Sequence, residues 1–242
     1  MKAAFTPHYF ILRSQRPSLT MCMWVLLLLS FSARSVASSH SASIGSGLVD
    51  EKGMTDFGVS FVNIAGPAGL IRPVVYGGID TKKYIIETNG CGVAFLDYDN
   101  DGWMDILLLN GTRLEGFPTG KEPGLMLYHN NRNGSFTEVT QQSGLSKTGW
   151  ASAISVGDYD NDGFDDLFIT YWGQNVLYRN NGNGTFTDQT AKAGFTTKER
   201  RWGSGCVFVD YDRDGYLDLF VANYLIFEPD KVPEPGKGAN CL

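Results

Sequence analysis

The chain has 242 residues, 43% of them hydrophobic and 13% aromatic, with 29 Gly and 9 Pro, which excludes a disordered, collagen-like or multi-span membrane protein. Twenty Lys+Arg stand against 26 Asp+Glu, for a formal net charge of −6, which disfavours a nucleic-acid binder that needs a basic excess for phosphates. The balance is uneven along the chain. Residues 1–37 carry four basic residues (Lys2, Arg13, Arg16, Arg34) and no acidic one, leaving 16 basic against 26 acidic residues beyond them.

The first 37 residues read as an export signal. A basic lead precedes an apolar run from Met21 to Phe31, and Ser35-Val36-Ala37 is a small-x-small exit. The 17 uncharged residues between Arg16 and Arg34 lie at the low edge of what spans a bilayer, so cleavage is expected rather than a membrane anchor. The mature protein is then secreted, extracellular or in the cell envelope. Cys22 leaves with the signal. Cys91 and Cys206 sit in apolar runs as core thiols, whereas Cys241, in a Gly/Pro-rich segment, calls for a partner that this chain lacks. These cysteines, with His40 and His129, give no zinc spacing.

Residues 38–89 form an irregular lead-in with the first outer strands, and the chain then repeats itself over 90–242, in units of about 90–149, 150–201 and an incomplete 202–242. Leu127 to Glu138 matches Leu177 to Asp188 at an offset of 50 residues. An acidic block at Asp97–Asp105 recurs at Asp158–Asp166 and Asp210–Asp218, with starts 61 and then 52 residues apart. Units of this size mark propellers or solenoids. Short runs rich in β-branched and aromatic residues flank every acidic block: 93–96, 153–156 and 206–209 before, and 106–109, 167–170 and 219–222 after. Asn133-Gly134 and Asn183-Gly184 predict tight hairpins with φ > 0 at both central residues, and the turn reading is preferred to glycosylation at Asn110, Asn133 or Asn183. Each unit therefore reads strand, acidic loop, strand, link, strand, turn, strand. That is an all-β fold of four-stranded antiparallel blades, a β-propeller of which this chain holds about three. Trp103, Trp150, Trp172 and Trp202 are expected in blade cores.

The acidic blocks follow D-x-D-x-D-G-x-x-D. Alternate side chains of a curled loop converge, Gly at position 6 permits the turn, and the carbonyl at position 7 points inward. The expected metal ligands are Asp97, Asp99, Asp101 and Asp105 with the Trp103 carbonyl; Asp158, Asp160, Asp162 and Asp166 with that of Phe164; and Asp210, Asp212, Asp214 and Asp218 with that of Tyr216. Hard oxygens in this number suit Ca2+, about three ions in all. Without a counter-ion, four carboxylates about 5 Å apart would repel by about 0.8 kcal/mol per pair, or about 5 kcal/mol per loop even in water's dielectric. An EF-hand is excluded, because position 12 is Leu108, Ile169 or Val221 inside an apolar strand, not a bidentate Glu.

With the Asn-Asn-x-Asn-Gly-Ser/Thr-Phe-Thr hairpins, these loops resemble FG-GAP/VCBS repeats, which build propellers like the integrin α head. Gly92 to Gly102, followed by Leu127 to Asn131, resembles most the secreted cartilage-acidic-protein (ASPIC/UnbV) group. That resemblance implies calcium at the aspartates named, no established catalytic residue and about seven blades, so this chain is expected to be an amino-terminal portion. The function expected is a secreted calcium-binding scaffold for an unknown extracellular protein or glycan, not an enzyme. A propeller hydrolase or lyase acting on polysaccharide is the alternative, but no catalytic set of Ser/His/Asp or paired carboxylates stands out.

Overall fold

A computed structural model describes residues 10–12, 61–78, 80, 82–198 and 200–231. Most of the expected signal, residues 38–60 of the lead-in and Cys241 lie outside the described residues. Residues 1–14 and 64–242 group as one compact unit, whereas the second unit, 15–63, is described only at 61–63.

The strands are β1 (Phe10–Leu12), β2 (Val93–Leu96), β3 (Asp105–Leu108), β4 (Met126–Asn130), β5 (Phe136–Glu138), β6 (Ala151–Gly157), β7 (Asp166–Tyr171), β8 (Val176–Asn180), β9 (Phe186–Asp188), β10 (Gly203–Val209) and β11 (Asp218–Asn223). One four-residue helix, α1 (Thr140–Ser143), follows β5, and among the described residues no helix is long and apolar enough to cross a membrane. The strands make three antiparallel sheets: β2-β3-β4-β5 (sheet one), β6-β7-β8-β9 (sheet two) and β1-β11-β10 (sheet three). The all-β, four-stranded expectation therefore holds for two units. Their registers coincide: Ile106 faces Tyr128, which faces Glu138, as Leu167 faces Tyr178 and Tyr178 faces Asp188. In sheet three Leu12 of β1 lies opposite Leu219, the place that Tyr128 and Tyr178 hold in the other two sheets; β1 falls within the expected export signal, so cleavage after Ala37 would remove this strand.

Burial follows from stacking. All six residues of β7 are buried because sheet two has a neighbour on both faces. β2 alternates exposed and buried residues, because only one of its faces is covered. Between sheets one and two, Leu96, Leu107 and Leu127 meet Val156, Leu167 and Ile169. Between sheets two and three, Phe168 and Leu177 meet Cys206, Phe208, Leu219 and Val221. Each fully buried Leu or Phe stabilises by about 1.5–3 kcal/mol, an upper figure because the unfolded chain already hides some surface. At Gly157 a Cβ would stand 2.9 Å from Leu217 and 3.2 Å from Phe208, so glycine sets the close approach of sheet three. Cys91 and Cys206 are half-buried free thiols.

Two expectations are corrected. The hairpin turns are not two-residue Asn-Gly turns: positive φ falls at Arg132 (64°) and Gly134 (82°), and at Gly182 (70°) and Gly184 (79°). Asn133 and Asn183 stay at negative φ, because each turns its side-chain oxygen onto the N–H two residues ahead, that of Ser135 (3.0 Å) and Thr185 (3.2 Å). The five-residue loop closes through Asn131 N–H to the Ser135 carbonyl (3.0 Å) and Asn181 N–H to that of Thr185 (2.9 Å). The second correction concerns tryptophan. Trp150 and Trp202 are buried in an aromatic cluster with Phe227, at the strand ends away from the acidic loops, and Trp172 packs against it half-buried. Trp103 instead stands 47% exposed on the first acidic loop.

Candidate metal centres

Each acidic loop joins two neighbouring strands of its sheet, β2 to β3, β6 to β7 and β10 to β11, and all three are wired alike. The position-1 carboxylate accepts the N–H groups of positions 5 and 6: Asp97 from Asp101 (2.9 Å) and Gly102 (2.8 Å), Asp158 from Asp162 (2.9 Å) and Gly163 (2.8 Å), Asp210 from Asp214 and Gly215 (both 3.1 Å). These bonds curl the loop. The curl demands positive φ at position 4 (Asn100, Asn161, Arg213; 55–61°) and at the glycine of position 6 (85–90°).

The position-9 carboxylates, Asp105, Asp166 and Asp218, open β3, β7 and β11 and are buried. Asp105 accepts the N–H of Tyr98 (3.3 Å) and of Asn130 (2.7 Å), and Asp166 those of Tyr159 (3.1 Å) and Asn180 (2.7 Å), so each ties its loop to the end of the third strand. Asp218 accepts from Tyr211 (3.3 Å). Burial pushes the Asp105 carboxyl up. It pushes Asp166 up to about 7, the charges of Asp160 and Asp162 adding to it and the hydrogen bonds from Asn180 and Tyr159 opposing it.

Positions 1, 3 and 9 converge. One carboxylate oxygen from each of Asp97, Asp99 and Asp105 lies within 4.8 Å of the others, and the same holds for Asp158, Asp160 and Asp166 and for Asp210, Asp212 and Asp218. Two oxygens on opposite sides of a calcium ion stand about 4.6–5.2 Å apart, so each group could hold one metal ion. Asp99 Oδ1 is buried without a hydrogen-bond partner, and an unmatched carboxylate oxygen among carboxylates fits a hard cation.

Position 5 stands apart from these three groups. Asp101, Asp162 and Asp214 each turn one oxygen back to the N–H of position 7 (Trp103, Phe164, Tyr216) at 2.9–3.0 Å. The second oxygen of Asp101 takes Arg132 (2.7 Å), which holds its carboxyl below the usual range. Arg179 spans Asp160 (2.6 Å) and Asp162. The turn onto position 7 holds the backbone of Trp103, Phe164 and Tyr216 against the loop while the Trp103 ring stays outside. Among the described residues no hydrogen bond reaches the three position-7 carbonyls.

His129 and Arg179 hold equivalent positions in β4 and β8, 50 residues apart. The structure places both over the loops. His129 Nδ1 lies 3.4 Å from Asp99 and from Asp105, and groups with Asp99 and Asp101 as well. The signal was available: β4 and β8 each carry a nitrogen-bearing side chain immediately before the Asn that bonds position 9.

A family model described as FG-GAP-like repeat matches residues 97–169 and again residues 158–221. Together the matches cover 125 of the 242 residues, and the chain belongs to the FG-GAP-like repeat family. Each match opens on an acidic loop and runs into the second strand of the next unit, so Asp158–Asp166 is shared. No curated protein matches the chain.

Proposed function

We propose that the protein is an exported, non-catalytic scaffold in which three calcium ions brace successive blades of a β-propeller. The observation that carries this is the triple repetition of one wiring: a curled loop whose first, third and ninth carboxylates meet within 4.8 Å, with an orphaned oxygen at Asp99. Asp97, Asp99 and Asp105, with their counterparts, would hold the ions, and calcium would supply charge neutralisation and a link from the end of one strand to the start of the next. The position-9 carboxylates extend that link to Asn130 and Asn180. The buried Asp166, whose proton affinity is raised by burial and then by the charges of Asp160 and Asp162, is the kind of group that a divalent cation relieves.

Export rests on the basic lead and apolar run of residues 1–37, and kinship with the cartilage-acidic-protein group rests on Gly92–Gly102 and Leu127–Asn131. The partner is an extracellular protein or glycan. Chelation should lower the melting temperature and calcium should restore it. At about 2 mM calcium and a dissociation constant of about 10⁻⁴–10⁻³ M, each site adds about 0.7–1.8 kcal/mol. A melting temperature indifferent to chelator would sink the proposal.

A further inference from the structure

The sequence holds three Asn-x-Ser/Thr triplets: Asn110-Gly111-Thr112, Asn133-Gly134-Ser135 and Asn183-Gly184-Thr185. An N-linked sugar is bulky, so it needs a surface Asn whose amide nitrogen the fold leaves unused. The structure separates the three. Asn110 is 2% exposed. Its Oδ1 accepts the N–H groups of Val75 (2.7 Å) and Gly111 (3.1 Å), and its Nδ2 is buried. Even a Cβ on the adjoining Gly111 would stand 2.7 Å from the Val75 carbonyl, so nothing the size of a sugar fits there.

Asn133 and Asn183 are exposed, at the tips that join β4 to β5 and β8 to β9. Each Oδ1 accepts both the N–H and the hydroxyl of the third residue of its triplet: Ser135 at 3.0 and 2.7 Å, Thr185 at 3.2 and 2.6 Å. The two side chains that an Asn-x-Ser/Thr acceptor requires are therefore already paired. Among the described residues neither Nδ2 donates a hydrogen bond. The surroundings are open: a Cβ at Gly134 would meet nothing within 4 Å, and one at Gly184 only the Tyr98 ring at 3.7 Å. Turn and acceptor are compatible, because the turn uses Oδ1 and a sugar would use Nδ2.

We propose that Asn133 and Asn183 are N-glycosylation sites and that Asn110 is not. The inference rests on the export reading, since the donor, an oligosaccharide carried on a polyprenyl diphosphate, and its transferase are met on export. In the transfer Nδ2 gives up one proton and bonds to C1 of the sugar. The bond from C1 to the diphosphate oxygen breaks, and the lipid diphosphate leaves with its electron pair. The two sugars then flank the first two acidic loops: Arg132, next to Asn133, bonds Asp101 (2.7 Å), and a Cβ at Gly182, next to Asn183, would meet the Phe164 ring at 2.8 Å.

Translation of the full chain with glycosylating microsomes tests it. Protease protection reads translocation, and peptide-N-glycosidase followed by peptide mass spectrometry reads the sites. The expected result is a protected chain with glycans at Asn133 and Asn183, falling to one glycan in Asn133→Gln or Asn183→Gln and to none in the double variant. A protected chain that lacks sugar at Asn133 or at Asn183 overturns the proposal and leaves export standing. A glycan at Asn110 in the fraction that resists limited proteolysis also overturns it. The same full chain behind a proven signal sequence separates the two readings. Sugar at Asn133 and Asn183 in that form alone supports the sites and refutes the native leader, whereas translocation without sugar in that form refutes the sites.

Discussion

Asp105 and Asp99 sit in one loop and face one candidate metal site, yet their replacement should have different consequences for the calcium-free fold. Asp105→Ala removes a buried carboxylate that satisfies two backbone N–H groups, those of Tyr98 (3.3 Å) and Asn130 (2.7 Å). Each N–H left buried and unpaired costs about 1–3 kcal/mol. The bond to Tyr98 is long, and the burial that raises the Asp105 carboxyl is relieved on its removal, so the lower half of the summed range applies, about 2–4 kcal/mol. For a chain of this size that is a drop of about 5–15 °C in melting temperature in chelator, and a larger one in calcium, because Asp105 is also one of the three carboxylates that would hold the ion. Asp99→Asn instead removes a carboxylate with one orphaned oxygen. It should change calcium-free stability by less than about 0.5 kcal/mol while weakening the calcium response. Differential scanning calorimetry of both variants, each in calcium and in chelator, reads all four values. An Asp105→Ala protein as stable as wild type in chelator, or an Asp99→Asn protein with its calcium response intact, would refute the division of labour between lock and ligand.

Two further outcomes are expected. Arg179→Met removes a cation that spans Asp160 and Asp162, so calcium should bind the second loop more tightly, by about 15-fold if the charge repels the divalent ion from about 5 Å through water's dielectric, while chelated stability falls by at most about 1 kcal/mol. Calorimetric titration checks this, and unchanged affinity would show that Arg179 has no part in the site. Burial pushes the Cys91 and Cys206 thiols up to about 12, so both should resist a maleimide at pH 8 in the native protein and react on unfolding. Their protons are held more tightly in the folded state, so they favour folding less as pH rises above the ordinary thiol range. Rapid native labelling of either thiol would contradict its placement.

The strands and loops were legible in the sequence because three copies of one pattern reinforce each other: an apolar run, D-x-D-x-D-G, another apolar run. Position 9 could be seen as a carboxylate, but its role as the lock between loop and third strand depends on Asn130 and Asn180, brought to it by sheet pairing from 25 and 14 residues away. The hairpins were misread for a local reason. Asn-Gly suggests two consecutive positive φ values, but here the Asn side chain takes up the backbone N–H that a two-residue turn would leave, and the left-handed residues become Arg132 and Gly182. His129 and Arg179 escaped notice because alternation along a strand says which face a side chain occupies and nothing about the neighbouring loop above that face. Trp103 reads as core by residue type alone, yet its place at position 7 of a curled loop puts the ring outside. Pairing of Phe10–Leu12 with β11 lies beyond any local pattern, since it joins segments more than 200 residues apart.

Calcium binding by the purified chain, measured by equilibrium dialysis at millimolar free calcium, tests the central claim most directly. Three ions per chain are expected, falling to two in Asp99→Asn, in Asp160→Asn or in Asp212→Asn. A chain that retains no calcium, or whose stoichiometry in all three variants equals that of the wild type, contradicts the account.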